Sequence, residues 1–128
     1  MSRESTDFFV FETDLVRELK PGDFQSTSPC SLNDKNCSFV LFYAPWCPYC
    51  KSVKEEWKKL GNMVEFKQIM SFNCEKYKEH LSRMRSQYPS LIPSFPTFVI
   101  YSEGEPKEVY KGDRKIDAFL KKLIDTCS

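Results

Sequence analysis

The strongest chemical signal in this sequence is a pair of cysteines in the segment Cys47-Pro48-Tyr49-Cys50. The segment follows a continuous apolar run, residues 39–44, and precedes a stretch with helical spacing, so it should lie at a strand-to-helix junction. Cysteines at this spacing in a first helical turn place both sulfurs on one side, where they can alternate between dithiol and disulfide. The pattern therefore indicates thiol–disulfide exchange.

The position of each cysteine predicts a different role. The first turn of a helix leaves backbone N–H groups without partners, and the helix dipole favours negative charge there, so the thiolate of Cys47 should be stabilised. Pro48 suits the first helical position, because its missing N–H would find no intrahelical partner. Cys50 lies deeper in the turn and should resolve a mixed disulfide formed at Cys47. We therefore expect Cys47 to be the nucleophile and Cys50 the resolving thiol.

Two structural roles compete with this interpretation. A permanent disulfide across so short a loop would add little stability. A zinc site would need two more thiolates, for which Cys30 and Cys37 are candidates. Their separation is wider than in the usual zinc knuckle, and Cys50 would have to turn away from its helix. We therefore expect no metal and no other cofactor at this pair.

The remaining cysteines and the single histidine are expected to play minor roles. Cys30 and Cys37 flank a polar loop, where a disulfide between them and two unrelated thiols are equally compatible with the sequence. Cys74 should be a small packing residue at a strand end. Cys127 lies near the C-terminus, where an exposed thiol could link two molecules during oxidation. His80 falls in a charged stretch of a predicted helix and should face solvent.

Length and composition bound the remaining possibilities. The chain has 128 residues, of which 41% are hydrophobic, and a net charge of +1. This fits one soluble globular domain over residues 1–128, with residues 1–13 as a candidate N-terminal extension. The balanced charge argues against nucleic acid or a membrane surface as a partner, and we expect a monomer. The first apolar run, residues 8–11, is too short for a signal peptide or a membrane span, so the cytoplasm is the default location and the secretory lumen stays open.

The rest of the chain alternates between strand and helix patterns. Residues 8–11 and 14–19 are candidate strands, of which one should enter the main sheet, and residues 21–36 are typical of a loop. The order predicts an α/β layered sandwich, a mixed sheet with helices on both faces. The predicted strands are 39–44, 64–69, 97–101 and 107–111. The last two should form a hairpin, with its second strand near the sheet edge. The predicted helices are 47–61, 77–88 and a last one after 112–113.

Several separated segments then carry a family resemblance. The segment from Tyr43 to Lys51, Tyr-Ala-Pro-Trp-Cys-Pro-Tyr-Cys-Lys, resembles the active-site segment of thioredoxin-fold domains, especially those of the protein disulfide isomerases. Phe95-Pro96-Thr97 resembles the family's cis-proline turn, and Phe72-Asn73-Cys74 resembles the end of its strand before the second large helix. Gly104 and Gly112 resemble the hairpin glycine and the glycine beside the substrate groove. The resemblance implies the thioredoxin fold and a protein dithiol–disulfide oxidoreductase.

The resemblance also implies a groove for protein or peptide substrates. Pro96, in a cis peptide bond, would lie across from Cys47, and the backbone of Phe95 would bind an extended peptide by strand addition. Pro93 is an alternative for the cis position, but a strand begins immediately after Pro96, which favours Pro96. The other residues of the implied substrate surface are Trp46, Pro48, Tyr49 and Gly112.

Two departures from the family pattern leave alternatives open. Leu41 stands six positions before Cys47, where the family usually has an acid that helps to deprotonate the resolving thiol, so resolution by Cys50 should be slower. The loss of that acid also permits a binding module without redox turnover. The dipeptide Pro48-Tyr49 resembles that of glutaredoxins, which makes a glutathione-dependent thiol transferase the second functional hypothesis.

Overall fold

The computed structural model describes residues 6–64 and 68–127, and within these ranges a mixed sheet lies between two covering layers. The strands are β1 (Arg17–Leu19), β2 (Phe24–Gln25), β3 (Ser28–Leu32), β4 (Ser38–Tyr43), β5 (Ile69–Asn73), β6 (Thr97–Ser102) and β7 (Glu105–Tyr110). The helices are α1 (Phe11–Asp14), α2 (Pro48–Met63), α3 (Lys78–Gln87) and α4 (Ile116–Cys127), with a 3₁₀ turn at Pro21–Asp23. In this described part of the chain, none of the helices combines the length and the apolar character needed to cross a membrane.

The main sheet has the strand order β1-β5-β4-β6-β7. β4 is central, parallel to β5 and antiparallel to β6, and all of its residues are buried. This confirms the strand predicted from the continuous apolar run, since only a strand covered on both faces buries every side chain. β7 lies at one edge as predicted, and the other edge is β1, which pairs parallel with β5. Of the two N-terminal candidate strands, the later one therefore enters the sheet.

The sheet separates two hydrophobic cores. On one face, α2 and α4 bury Trp57 and Phe119, whose ring centroids lie 5.0 Å apart, and Trp57 packs edge-to-face on Phe39 of β4. On the other face, α3 buries Met84 in the cluster that contains Phe72 of β5. Helical cover on both faces confirms the predicted layered sandwich.

The prediction that segment 21–36 is mainly a loop is wrong. The segment contains the hairpin β2–β3, which packs on α3. Cys30 in this hairpin is fully buried, its N–H donates to Oε1 of Gln87 at 2.9 Å, and its carbonyl accepts from the Tyr101 hydroxyl at 2.8 Å. The polar residues satisfy one another within the fold, since the Ser31 hydroxyl donates to Glu105 at 2.7 Å. The polar composition therefore predicted a loop where the fold supplies partners for a hairpin.

His80 is buried rather than exposed, with 6% of its surface accessible. Its Nε2 lies 2.9 Å from the Pro29 carbonyl, and its ring packs against Phe24 and Phe72 at centroid distances of 4.6 and 5.6 Å. Burial lowers the pKa of His80, because the charged form loses hydration. The predicted exposure is wrong because the hairpin that covers this face of α3 was itself not predicted.

Cys37 and Cys127 form a disulfide that joins the start of β4 to the end of α4, with a Cα–Cα distance of 5.6 Å and a sequence separation of 90 residues. The alternative of a Cys30–Cys37 disulfide is therefore wrong, and so is an exposed thiol at Cys127. The same bond withdraws Cys37 from the candidate zinc ligands. Cys74 is buried directly after β5, as predicted for a packing residue.

The strand predicted over 64–69 falls later in the structure, since β5 begins at Ile69 and residues 65–67 lie outside the described part. α2 continues through Gly61, which the sequence suggested as its end. A Cβ at Gly61 would lie 2.9 Å from the Leu15 carbonyl oxygen. This glycine therefore permits close packing of α2 on Leu15 and Val16, just before β1.

Candidate active site

Cys47 and Cys50 lie at the junction between β4 and α2, where the sequence predicted them. Cys47 is the N-cap of α2, in an extended conformation, and Pro48 is the first helical residue. The Cys47 N–H donates to the Ala44 carbonyl, and the Cys47 carbonyl accepts from Lys51 N–H, each at 3.0 Å. Both thiols are free. The turn therefore holds the dithiol form of the pair at the start of the helix.

Cys50 is fully buried, and burial raises the pKa of its thiol to about 12. The Ala44 backbone N–H opposes this rise in pKa, whereas hydrogen bonding with the Cys47 side chain adds to it. A thiol with such a pKa stays protonated near neutral pH, so Cys50 is a poor initial nucleophile. The contact with Cys47 places it where it can act second.

Arg114 is a charged residue near this pair that the sequence analysis missed. Its positive charge lowers the pKa of Cys50, against the effect of burial, because a cation favours the thiolate. Arg114 lies in the loop before α4, and its guanidinium carbon is 5.7 Å from the centroid of the Phe98 ring in β6. The only sequence signal was a cation soon after Gly112, and nothing in the sequence connects that loop with α2.

The turn before β6 faces Cys47. The Phe95–Pro96 peptide bond is cis, so Pro96 rather than Pro93 occupies the position that the resemblance implied. The Cys47 thiol donates to the Phe95 carbonyl at 3.6 Å. Trp46 packs edge-to-face on Phe95, with centroids 6.3 Å apart. The main chain of Phe95 therefore borders the sulfur of Cys47 directly.

The other residues of the predicted substrate surface lie around the same end of the sheet. Pro48 is exposed, and Tyr49 has 68% of its surface accessible. Gly112 and Pro96 line a common cavity of about 240 Å³. The structure thus gathers the predicted site residues at one end of the sheet, and their roles toward a substrate stay predictions.

Leu41 is fully buried in the core cluster that contains Cys50, so the position that the family usually gives to an acid is apolar here. A buried carboxyl lies instead on β1, where Glu18 is in register with Ser71 of β5, which in turn is in register with Leu41. Glu18 accepts from the Tyr43 hydroxyl at 2.5 Å, and burial raises the pKa of Glu18 to about 7. Glu18 was not predicted as a site residue, since it precedes β4 in the sequence by many residues.

The Glu18 carboxyl should make stability depend on pH. Its pKa of about 7 in the fold exceeds its ordinary value of 4.5, so Glu18 favours folding below pH 4.5, and this contribution is lost as pH rises through 7. Glu18→Gln should remove this pH dependence. The substitution should therefore raise the free energy of unfolding more at pH 8 than at pH 5, and the difference should be at most about 3 kcal/mol. Urea unfolding at both pH values measures this difference. An equal pH dependence in wild type and variant would contradict the assignment.

Comparisons with known proteins agree with this architecture. The family model described as Thioredoxin matches residues 17–125. Protein disulfide-isomerase 5-2 of Arabidopsis thaliana is 33% identical over 131 residues, covering 97% of this chain and 27% of the relative. Protein disulfide isomerase-like 5-1 of Oryza sativa subsp. japonica is 34% identical over 89 residues, covering 67% of this chain and 56% of the relative. The chain thus spans about a quarter of the Arabidopsis relative's length.

Solved structures show the same fold. The crystal structure of the J-Trx1 fragment of ERdj5 matches with a TM-score of 0.73 at 22% identity, covering 91% of this chain and 53% of that one. The solution structure of the first thioredoxin domain of mouse protein disulfide-isomerase A4 matches with a TM-score of 0.69 at 23% identity, covering 100% and 86%. The predicted thioredoxin fold is therefore confirmed. Because the family model spans most of the chain, this protein belongs to the thioredoxin family.

Proposed function

We propose that this domain is a protein dithiol–disulfide oxidoreductase in which Cys47 attacks and Cys50 resolves. The supporting observation is the asymmetry of the pair at the start of α2. Cys47 caps the helix beside the Phe95 carbonyl and keeps 6% of its surface accessible, whereas Cys50 has no accessible surface and a pKa of about 12. Relatives that cover most of this chain are named protein disulfide isomerases, which supports the same chemistry.

The proposed reaction has two steps. The Cys47 thiolate attacks a substrate disulfide, forming a bond from Sγ to one substrate sulfur, and the other substrate sulfur leaves as a thiolate that takes a proton. Cys50 then loses its proton and attacks Sγ of Cys47, which forms the Cys47–Cys50 disulfide and releases the second substrate thiol. Two electrons pass from the cysteine pair to the substrate. Run in reverse, the same steps oxidise a substrate dithiol.

Arg114 and the burial of Cys50 act in opposite directions on the second step. Burial keeps Cys50 protonated, and the Arg114 charge stabilises the thiolate that must form. With Leu41 in place of an acid, the proton has to leave by another route, so resolution should be the slower of the two steps. Slow resolution would lengthen the life of the mixed disulfide with the substrate.

A peptide substrate should bind along the turn that holds Pro96. The Phe95 main chain borders Cys47 Sγ, so an extended peptide that pairs with it would bring its disulfide to that sulfur. Trp46 and the exposed Tyr49 would contact the peptide's apolar side chains. The pairing with the Phe95 main chain would use the substrate's backbone rather than its sequence, as suits an enzyme for many protein disulfides.

Reduction of insulin tests the proposal. The wild-type protein should accelerate the reduction of insulin by dithiothreitol by at least about tenfold, because a positioned thiolate attacks faster than a free thiol. The precipitation of the released insulin chain reports the rate. A rate equal to that of dithiothreitol alone would contradict the proposal and favour a binding module without turnover.

A glutathione-dependent activity is the second candidate. Arg114 lines two neighbouring cavities, together with Lys111 in one and Lys115 in the other. Such cations suit the carboxylates of glutathione, and the Arg114 charge acts on Cys50, in the pair whose dipeptide suggested this partner. Turnover of a small glutathione mixed disulfide, coupled to glutathione reductase, would support this candidate. A rate no higher than background in that assay, together with active insulin reduction, would reject the glutathione-dependent candidate and retain the protein oxidoreductase.

The disulfide between Cys37 and Cys127 bears on location. Structural disulfides persist in oxidising compartments and are rare in the cytosol, where thiols are kept reduced. We therefore propose that the domain works in an oxidising compartment such as the secretory lumen, in place of the cytoplasmic default.

A further inference from the structure

The N-terminal segment of residues 7–9, here called the N-terminal strap, is fixed against the end of the sheet that carries the cysteines. Phe8 stacks on Tyr43, with ring centroids 4.2 Å apart, and its N–H donates to the Tyr43 hydroxyl at 2.8 Å. The Phe9 N–H donates to Glu18 Oε2 at 3.2 Å, and Phe9 is buried. The strap therefore joins the core close to the start of the active-site turn.

Asp7 connects this strap to the turn that follows β5. Its Oδ1 accepts from Nδ2 of Asn73 at 3.1 Å, and its Oδ2 pairs with Lys76 Nζ at 3.3 Å. Asn73 Oδ1 accepts from the backbone N–H groups of Glu75 and Lys76, at 3.2 and 3.1 Å. Asn73 is fully buried, so its amide depends on these protein partners for its hydrogen bonds. Asp7 thereby fixes the amide that shapes the turn.

The same turn holds the tryptophan beside the nucleophile. Glu75 Oε1 accepts from the Trp46 indole N–H at 2.6 Å, and the Glu75 side chain is only 9% exposed. Trp46 in turn packs on Phe95, whose carbonyl accepts from the Cys47 thiol. A continuous series of contacts thus runs from the strap to the wall of the proposed groove.

We propose that Asp7 is a positioning residue, which through Asn73 and the turn 73–76 holds Glu75, and so Trp46, in the orientation that forms one wall of the substrate groove. The inference rests on the proposed function for the groove, but the positioning of Trp46 can be measured without any substrate. Within residues 6–64 and 68–127, the side chain of Asp7 accepts hydrogen bonds from Asn73 and Lys76, which lie outside the cysteine pair. Its loss should therefore weaken substrate binding, which raises KM, and leave kcat nearly unchanged.

The experiment compares Asp7→Ala with two matched variants. Asp7→Asn keeps an oxygen that can accept from Asn73. Lys76→Ala removes the ion pair, which is exposed and contributes little, together with the contact of Lys76 Nζ over the Tyr77 ring at 5.6 Å from its centroid. The readouts are the NMR signals of the two indole N–H groups and the kinetics of insulin reduction. The Trp46 signal is identified by its absence in Trp46→Phe. The Trp57 indole, which donates to the Met70 carbonyl at 3.0 Å in the core, is the internal reference.

Asp7→Ala should shift the Trp46 indole signal and speed its hydrogen exchange, while the Trp57 signal stays in place. KM for insulin should rise about three- to tenfold, the effect of one lost hydrogen bond, with kcat within about twofold. Asp7→Asn and Lys76→Ala should behave like the wild type. Should Asp7→Ala fail to fold, Asp7→Leu makes the same comparison with a side chain of similar size.

Two outcomes would overturn the proposal. One is an unchanged Trp46 signal and an unchanged KM in Asp7→Ala. The other is an equal change in the Trp46 and Trp57 signals, which would mean that Asp7 stabilises the whole domain rather than this wall. A protein that reduces no insulin but shows the selective Trp46 change would refute the proposed function and retain the positioning role.

Discussion

Cys47→Ser should abolish insulin reduction, with a loss on the order of a thousandfold or more, because a serine hydroxyl cannot replace a thiolate as nucleophile. Cys50→Ser should also stop turnover, but at a later point. Cys47 can still attack, and the mixed disulfide with the substrate then accumulates because no second thiol resolves it. The two variants therefore fail at different steps, which single-turnover measurements separate.

The matched control for these variants is Cys30→Ala. Cys30 is also a fully buried free thiol, and burial raises its pKa to about 11, yet it lies in the β2–β3 hairpin. Its loss should leave insulin reduction within about twofold of wild type and cost some stability, as the deletion of a buried atom does. Formation of the mixed disulfide in a single turnover by Cys47→Ser, or its absence in Cys50→Ser, would contradict the assignment of nucleophile and resolving thiol.

Removal of the Cys37–Cys127 disulfide should produce the largest change in stability. The bond closes a loop with a sequence separation of 90 residues, which corresponds to about 4 to 5 kcal/mol through the restricted entropy of the unfolded chain. Cys37→Ala/Cys127→Ala should lower the free energy of unfolding by about that amount, relative to the wild type in the absence of reductant. Urea denaturation measures both proteins.

Reductant provides the control for the disulfide, in a background of Cys47→Ala/Cys50→Ala that removes the other thiol pair. In that background reductant should destabilise the protein with the Cys37–Cys127 bond and leave the protein without it unaffected. Equal stability with and without the bond would refute the prediction. The proposal of an oxidising compartment has a separate test, in which thiols are blocked as the protein is isolated from cells. Reduced Cys37 and Cys127 in that protein would contradict the proposed compartment.

Local signals explain what the sequence could predict. The apolar run over 39–44, the proline suited to a first helical turn and the spacing of Cys47 and Cys50 are all contained in a short segment, so their structure follows from neighbouring residues. The cis bond before Pro96 followed from the family resemblance and the strand that begins after it. The central strand, the helix it precedes and the position of the cysteine pair were predictable for this reason.

Contacts between distant segments explain what the sequence could not predict. Cys37 meets Cys127 because α4 returns across β4, and His80 is buried because a hairpin of polar composition covers α3. Glu18 acquires its raised pKa from burial beside Tyr43, and Asp7 reaches Asn73 across the end of the sheet. Each of these depends on the packing of the whole domain.

A trapped mixed disulfide identifies the sulfur that binds the substrate. Cys50→Ser is mixed with a peptide that contains one activated disulfide, and the covalent product is digested and sequenced by mass spectrometry. We expect the peptide on Sγ of Cys47 and none after the further change Cys47→Ser. A peptide attached to Cys30 or Cys74, or no covalent product, would contradict this expectation.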